Sequence, residues 1–139
     1  MRKENWAQIL SEKIEKEIST PFAWGVSDCL QFPSNVAAAM LDYDVKAKAQ
    51  AHLYQYDSEE GARKIINESF NGDMGNVFDL VFNRINLKSA GRGDIVLVNF
   101  NDVIACGIID STGRRAAVKS EAGILFAPSK SWSHAWRVE

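Results

Sequence analysis

The chain has 139 residues, 46% hydrophobic and 24% charged, the proportions of an ordinary globular protein with one substantial core. Its 16 basic and 18 acidic residues give a net charge of -2, and no basic run exceeds the pair Arg114-Arg115, which excludes an electrostatic footprint for nucleic acid. No apolar run approaches the ~20 residues of a membrane span and the first residues lack the apolar core of a signal peptide, so synthesis and assembly in a cytoplasm are expected.

Trp6, Ile9, Leu10, Ile14 and Ile18 recur at spacings of three and four, which predicts an amphipathic helix from Glu4 to Ile18 with a solvated Lys and Glu face. Pro21 ends that helix, Gly25 permits a tight turn, and Ser27 is the expected N-cap of a second helix. Cys29 stands at its start. Unpaired backbone N–H groups and the helix dipole stabilise a thiolate there, which turns a weak thiol into a nucleophile. Pro33 complicates that start, because it has no N–H for the Cys29 carbonyl. Either the helix kinks, or its regular part begins later and leaves Cys29 in the preceding loop with less of the dipole.

Asp42 to Tyr56 has a mixed pattern, with Val45 to Leu53 either extending a helix or forming a turn. Asp57 is the expected N-cap of the next helix, with Glu60 as capping-box partner and Ala62, Ile65, Ile66 and Phe70 on one face. Asn71-Gly72-Asp73 closes it, and Val77, Leu80, Val81 and Ile85 predict one more short helix. Beyond Gly91 come short β-prone runs: Asp94 to Phe100, Val103 to Ile109, Arg115 to Lys119, Ile124 to Ala127 and Ala135 to Val138. Helices first and strands second predict a single α+β domain over residues 1–139, with N-terminal helices packed on a small antiparallel β-sheet of about five strands.

Trp24-Gly25-Val26-Ser27-Asp28-Cys29 resembles the Trp-Gly-x-x-Asp-Cys nucleophile motif of the NlpC-type branch of papain-like cell-wall peptidases. The whole chain resembles a small family of phage and prophage proteins within that superfamily. Its marks are a Pro-Phe-x-Trp-Gly-x-x-Asp-Cys start, a tyrosine before a Ser-x-x-Gly-Ala helix, a Gly-Asp strand and a terminal Ala-Trp-Arg-Val. They stand here at Pro21 to Cys29, Tyr56 to Ala62, Gly93-Asp94 and Ala135 to Val138. The resemblance implies an NlpC-type papain-like fold, with Cys29 as an active or vestigial nucleophile and Asp28 as a motif residue. Without it, Cys29 reads as a small buried hydrophobe and Asp28 as a first-turn acid favoured by the helix dipole.

The superfamily pattern places the catalytic histidine in a His-Val-Gly-Ile stretch on the second strand after the Gly-Asp. The corresponding stretch is Ala105-Cys106-Gly107-Ile108, which puts alanine at the histidine position. Alanine cannot take the thiol proton or return one to a leaving amine. Cys106 points to the other face of its strand and cannot replace it. His134, and after it His52, are the imidazoles left to stand in. Pro33 departs from the small residue expected of the family.

The resemblance therefore implies a structural or assembly protein of a phage tail tip, a virion component with other tail-tip proteins as partners and a degraded active site. The alternative is an active cysteine peptidase that cuts peptidoglycan stem peptides during phage entry, with Cys29 as nucleophile and His134 as an unorthodox base. A third is a pseudoenzyme that binds wall peptides in the old cleft without cutting them. No cofactor or metal is expected, since Cys29, Cys106, His52 and His134 show no ligand spacing.

Overall fold

The computed structural model describes residues 1–48 and 55–139. The first helix, α1 (Trp6–Ile18), buries Leu10 and Ile14 as its spacing requires, yet its third buried residue is Glu17. Ile18, expected on the buried face, is 53% exposed. Polar partners draw the glutamate inward: Ser27 Oγ donates to its carboxylate at 2.6 Å, and Lys119 Nζ lies 3.6 Å away.

The central helix is α2 (Gln31–Met40), whose Phe32, Val36, Ala37 and Met40 are completely buried. A short α3 (Val45–Lys48) occupies part of the mixed stretch, whose residues 49–54, His52 among them, lie outside the described residues. In α4 (Glu59–Ser69) the N-cap is Ser58, accepting from the Gly61 N–H at 3.0 Å, one residue later than the expected Asp57. Asn71 and Gly72 then turn left-handed, at φ 54° and 74°, and end that helix where the sequence predicts.

The predicted helix through Ile85 is only partly formed. One turn, α5 (Gly75–Phe78), takes Val77, whereas Ile85 belongs to a strand, β1 (Asn83–Ile85). Three residues reading Asn-Arg-Ile carry no alternation signal; pairing with the last strand of the chain makes them β. Five further strands follow: β2 (Ile95–Phe100), β3 (Val103–Ile109), β4 (Arg115–Ser120), β5 (Gly123–Pro128) and β6 (Trp132–Arg137). The sheet is open and antiparallel with order β1-β6-β2-β3-β4-β5, six strands instead of about five. Asn101 and Asp102, at φ 53° and 61°, make the two-residue β2–β3 turn, both left-handed as a type I′ turn demands.

Alternation splits the sheet into two faces. Leu97, Cys106, Ile108, Ala117 and Trp136 join the helices in the main core, while Val98, Ala105, Ala116, Val118 and Ala127 form a second cluster. No helix of the described residues is long and apolar enough to cross a membrane.

Two of the four sequence marks meet at one carboxylate. Asp94, completely buried, pairs with Arg2 at 2.8 Å and accepts from the N–H groups of Gly91 and Val138 at 3.0 and 3.1 Å. Arg137 lies 3.6 Å from its other oxygen. Gly93, at φ 84°, leaves the room a side chain would take from the Arg2 guanidinium. The Gly-Asp and Ala-Trp-Arg-Val marks thus fasten residues near both ends of the chain to the sheet.

Candidate functional site

Everything around Cys29 is placed by Asp28. The Asp28 carboxylate is completely buried and accepts hydrogen bonds from four groups. The Leu30 and Gln31 N–H groups donate to Oδ1 at 2.9 and 2.7 Å, and the Gly25 N–H and the Tyr56 hydroxyl donate to Oδ2 at 2.8 and 2.7 Å. Asp28 therefore does the capping expected of Ser27, whose hydroxyl is committed to Glu17. Gly25 is required by the same arrangement. It sits at φ 80°, and a Cβ there would fall 1.8 Å from the Tyr56 carbonyl oxygen. The Trp-Gly-x-x-Asp sequence is a clamp on Tyr56.

Pro33 decides between the two helix starts. The Phe32 N–H bonds the Asp28 carbonyl at 2.9 Å, the next bond is missing because Pro33 has no N–H, and regular α2 begins at Gln31. Cys29 lies in the turn before the helix, the second of the two outcomes. Its thiol is pushed up to about 11, first by burial, then by the Asp28 charge and, more weakly, by Glu59; a hydrogen bond to its own backbone N–H opposes them and is outweighed. Desolvation and like charge both disfavour the thiolate. At neutral pH Cys29 keeps its proton.

The thiol borders a cavity of about 330 Å³ at the end of the sheet where the β2–β3 and β4–β5 turns lie. Trp24, Glu59, Phe100, Ile104 and Ala105 are among the residues that line it. A second groove, bordered by Tyr56, Arg63, Ile66 and Met74, meets the first at Trp24, Cys29, Glu59 and Ile104. Ala105 thus faces the cavity that Cys29 borders. Gly107 in the same strand allows close packing, since a Cβ there would meet the Ala117 carbonyl at 2.9 Å. Cys106 is completely buried on the helix side, its thiol raised well above the usual value by burial and then by Cys29.

His134 stands elsewhere. Leu97 pairs with Cys106 on one side and with His134 on the other, so the imidazole shares the helix-bearing face but lies two strands, about 10 Å of backbone, from Cys106. It is exposed, with Nδ1 3.1 Å from Ser133 Oγ and its ring 6.4 Å from that of Trp136. Among the described residues no hydrogen bond joins it to Cys29. The structure brings Cys29 and Asp28 together and leaves His134 apart.

Two members of the site were not assigned a role from sequence. Tyr56 is visible there only as a mark of the resemblance, and Glu59 only as part of a helix start. What defines the molecule is an α+β domain with a protonated cysteine at the junction of two grooves. The model of a family described as a domain of unknown function, DUF6950, matches residues 1–138, and the chain belongs to that family. No curated protein matches the chain.

Proposed function

We propose that this chain is a non-catalytic relative of the NlpC-type papain-like peptidases that serves as a structural or assembly part of a phage tail tip. The observation that carries the non-catalytic half is the state of Cys29. Its thiol is held up to about 11 by burial and by Asp28, and its cavity is lined by Ala105, the residue that the resemblance sets at the histidine position. A cysteine peptidase needs the opposite, a depressed thiol pKa beside a base.

The papain-like part is supported by the clamp around Trp24-Gly25 and Asp28-Cys29 at the entrance to a helix packed on an antiparallel sheet. The tail-tip part is supported by the four sequence marks. Asp28, Tyr56 and Asp94 have structural work whether or not the thiol reacts, so these marks would outlast a lost activity.

The test combines binding with turnover. Purified protein is mixed with the purified tail-tip proteins of the same phage or prophage, and separately incubated with peptidoglycan stem peptides. A stable complex with one of those proteins and intact stem peptides are expected. Absence of every complex, together with stem-peptide cleavage that Cys29→Ala abolishes, would replace the proposal with the peptidase.

A further inference from the structure

The cavity beside Cys29 has a chemistry of its own. Phe22, Trp24, Val98, Phe100, Ile104 and Leu125 dominate its lining. Ile104 and Leu125 are 58% and 49% exposed, so apolar surface runs from the cavity onto the sheet beside both hairpin turns. A continuous apolar surface of this kind marks a place where another molecule is covered. Stem peptides, rich in charged and polar groups, match it poorly.

The charge at its rim that is left without a counter-ion is acidic. Glu59 and Glu121 both border the cavity; Glu59 is paired with Arg63 at 2.8 Å, whereas Glu121 has no hydrogen-bond or ion-pair partner among the described residues. Lys119 also borders it, but its ammonium is turned away: Nζ donates to the Glu17 and Thr20 carbonyls at 2.6 Å each, closing the end of α1. A negative potential over a low-dielectric wall favours an incoming cation.

We infer that the cleft is a socket for a segment of a partner protein that presents an apolar side chain next to a lysine or arginine. The apolar group fills the cavity between Trp24 and Ile104, and the cation lies against Glu121. A volume of about 330 Å³ is near the lower limit of ordinary ligand pockets, enough for one or two side chains. Cys29 is then part of the socket wall, where a protonated thiol behaves as a small hydrophobe. The inference rests on the non-catalytic proposal, and gives the unknown tail-tip partner a recognisable chemistry: an apolar anchor with a basic neighbour.

Three blocked dipeptides serve as probes: acetyl-Phe-Lys-amide, acetyl-Phe-Glu-amide and acetyl-Ser-Lys-amide. Binding to the full chain is followed by NMR through the backbone amides of Ile104, Ala105 and Glu121. Acetyl-Phe-Lys-amide is expected to bind saturably, acetyl-Phe-Glu-amide about two- to fivefold more weakly, and acetyl-Ser-Lys-amide at least about tenfold more weakly. Glu121→Lys, an exposed turn substitution, should reverse the preference between the two Phe probes. Equal binding of all three probes, shifts away from these amides, no saturable binding, or occupation of the face by a second copy of the chain would overturn the inference. Cleavage of stem peptides would instead remove the non-catalytic proposal, whatever the dipeptides do.

Discussion

Tyr56 donates its phenolic hydrogen to Asp28 Oδ2 at 2.7 Å, and this bond between two buried side chains joins the loop before α2 to the entrance of α4. Its effect on the site is indirect. It helps keep a carboxylate buried next to Cys29, and that carboxylate both builds the turn and opposes the thiolate. The tyrosine hydroxyl is itself pushed well above its usual pKa, by burial and then by Asp28, so it remains a donor across the physiological range.

Tyr56→Phe should therefore destabilise the fold by about 1.5–3 kcal/mol, the usual loss for a hydrogen bond to a charged group, and shift the urea midpoint accordingly. Asp28→Ala should cost more, because it strands the Leu30, Gln31 and Gly25 N–H groups at once. A neutral Tyr56→Phe would show that the clamp is redundant.

Gly25→Ala tests the same clamp from the backbone. At φ 80° with the Tyr56 carbonyl where the methyl would go, the substitution should cost at least about 3 kcal/mol or prevent folding, read by circular dichroism and urea unfolding. Gly91→Ala is the control, since nothing lies within 4 Å of its Cβ position. Similar losses for both would contradict the close approach.

Asp94 anchors the other end of the molecule. Asp94→Ala should cost about 3–5 kcal/mol by leaving the partly buried Arg2 guanidinium and the Gly91 and Val138 N–H groups without their acceptor. In a double-mutant cycle with Arg2→Ala, a coupling near zero would remove the ion pair from the account.

Stability should fall with alkaline pH in a defined way. The folded Cys29 thiol holds its proton up to about 11, whereas in the unfolded chain it ionises near its ordinary value, about 8.5. Between those values the unfolded state binds fewer protons, so the stabilising difference is complete below about pH 8.5 and is lost as pH rises toward 11. For this one group the slope approaches about 1.4 kcal/mol per pH unit. Cys106 adds a loss of the same sign. Cys29→Ala should flatten the decline above pH 9, and an unchanged slope would contradict the raised thiol.

Local patterns of apolar spacing or turn residues made the Leu10 and Ile14 part of the α1 face, the end of α4 and the five later strands legible. The strand β1 was not, since Asn83-Arg84-Ile85 becomes β only through its distant pairing with β6. Glu17 reads as part of the solvated face of α1 until it is seen buried, with Lys119 Nζ 3.6 Å from its carboxylate. At the site, Ala105 was legible only through the resemblance, as an alanine where that motif has a histidine. The reversal of the thiol's electrostatics was not. It depends on where Pro33 lets α2 begin, and on Asp28 turning its carboxylate inward as a cap instead of leaving the first turn to favour a thiolate.

The most direct measurement is the rate of Cys29 alkylation by iodoacetamide as a function of pH, with Cys29→Ala as the blank, since Cys106 is completely buried. The account predicts a rate that climbs about tenfold per pH unit through the neutral and alkaline range and bends only near about 11. A plateau at or below about pH 8.5 would contradict it. Movement of that plateau upward in His134→Ala or His52→Ala would identify a surviving thiolate–imidazole pair and favour the peptidase alternative.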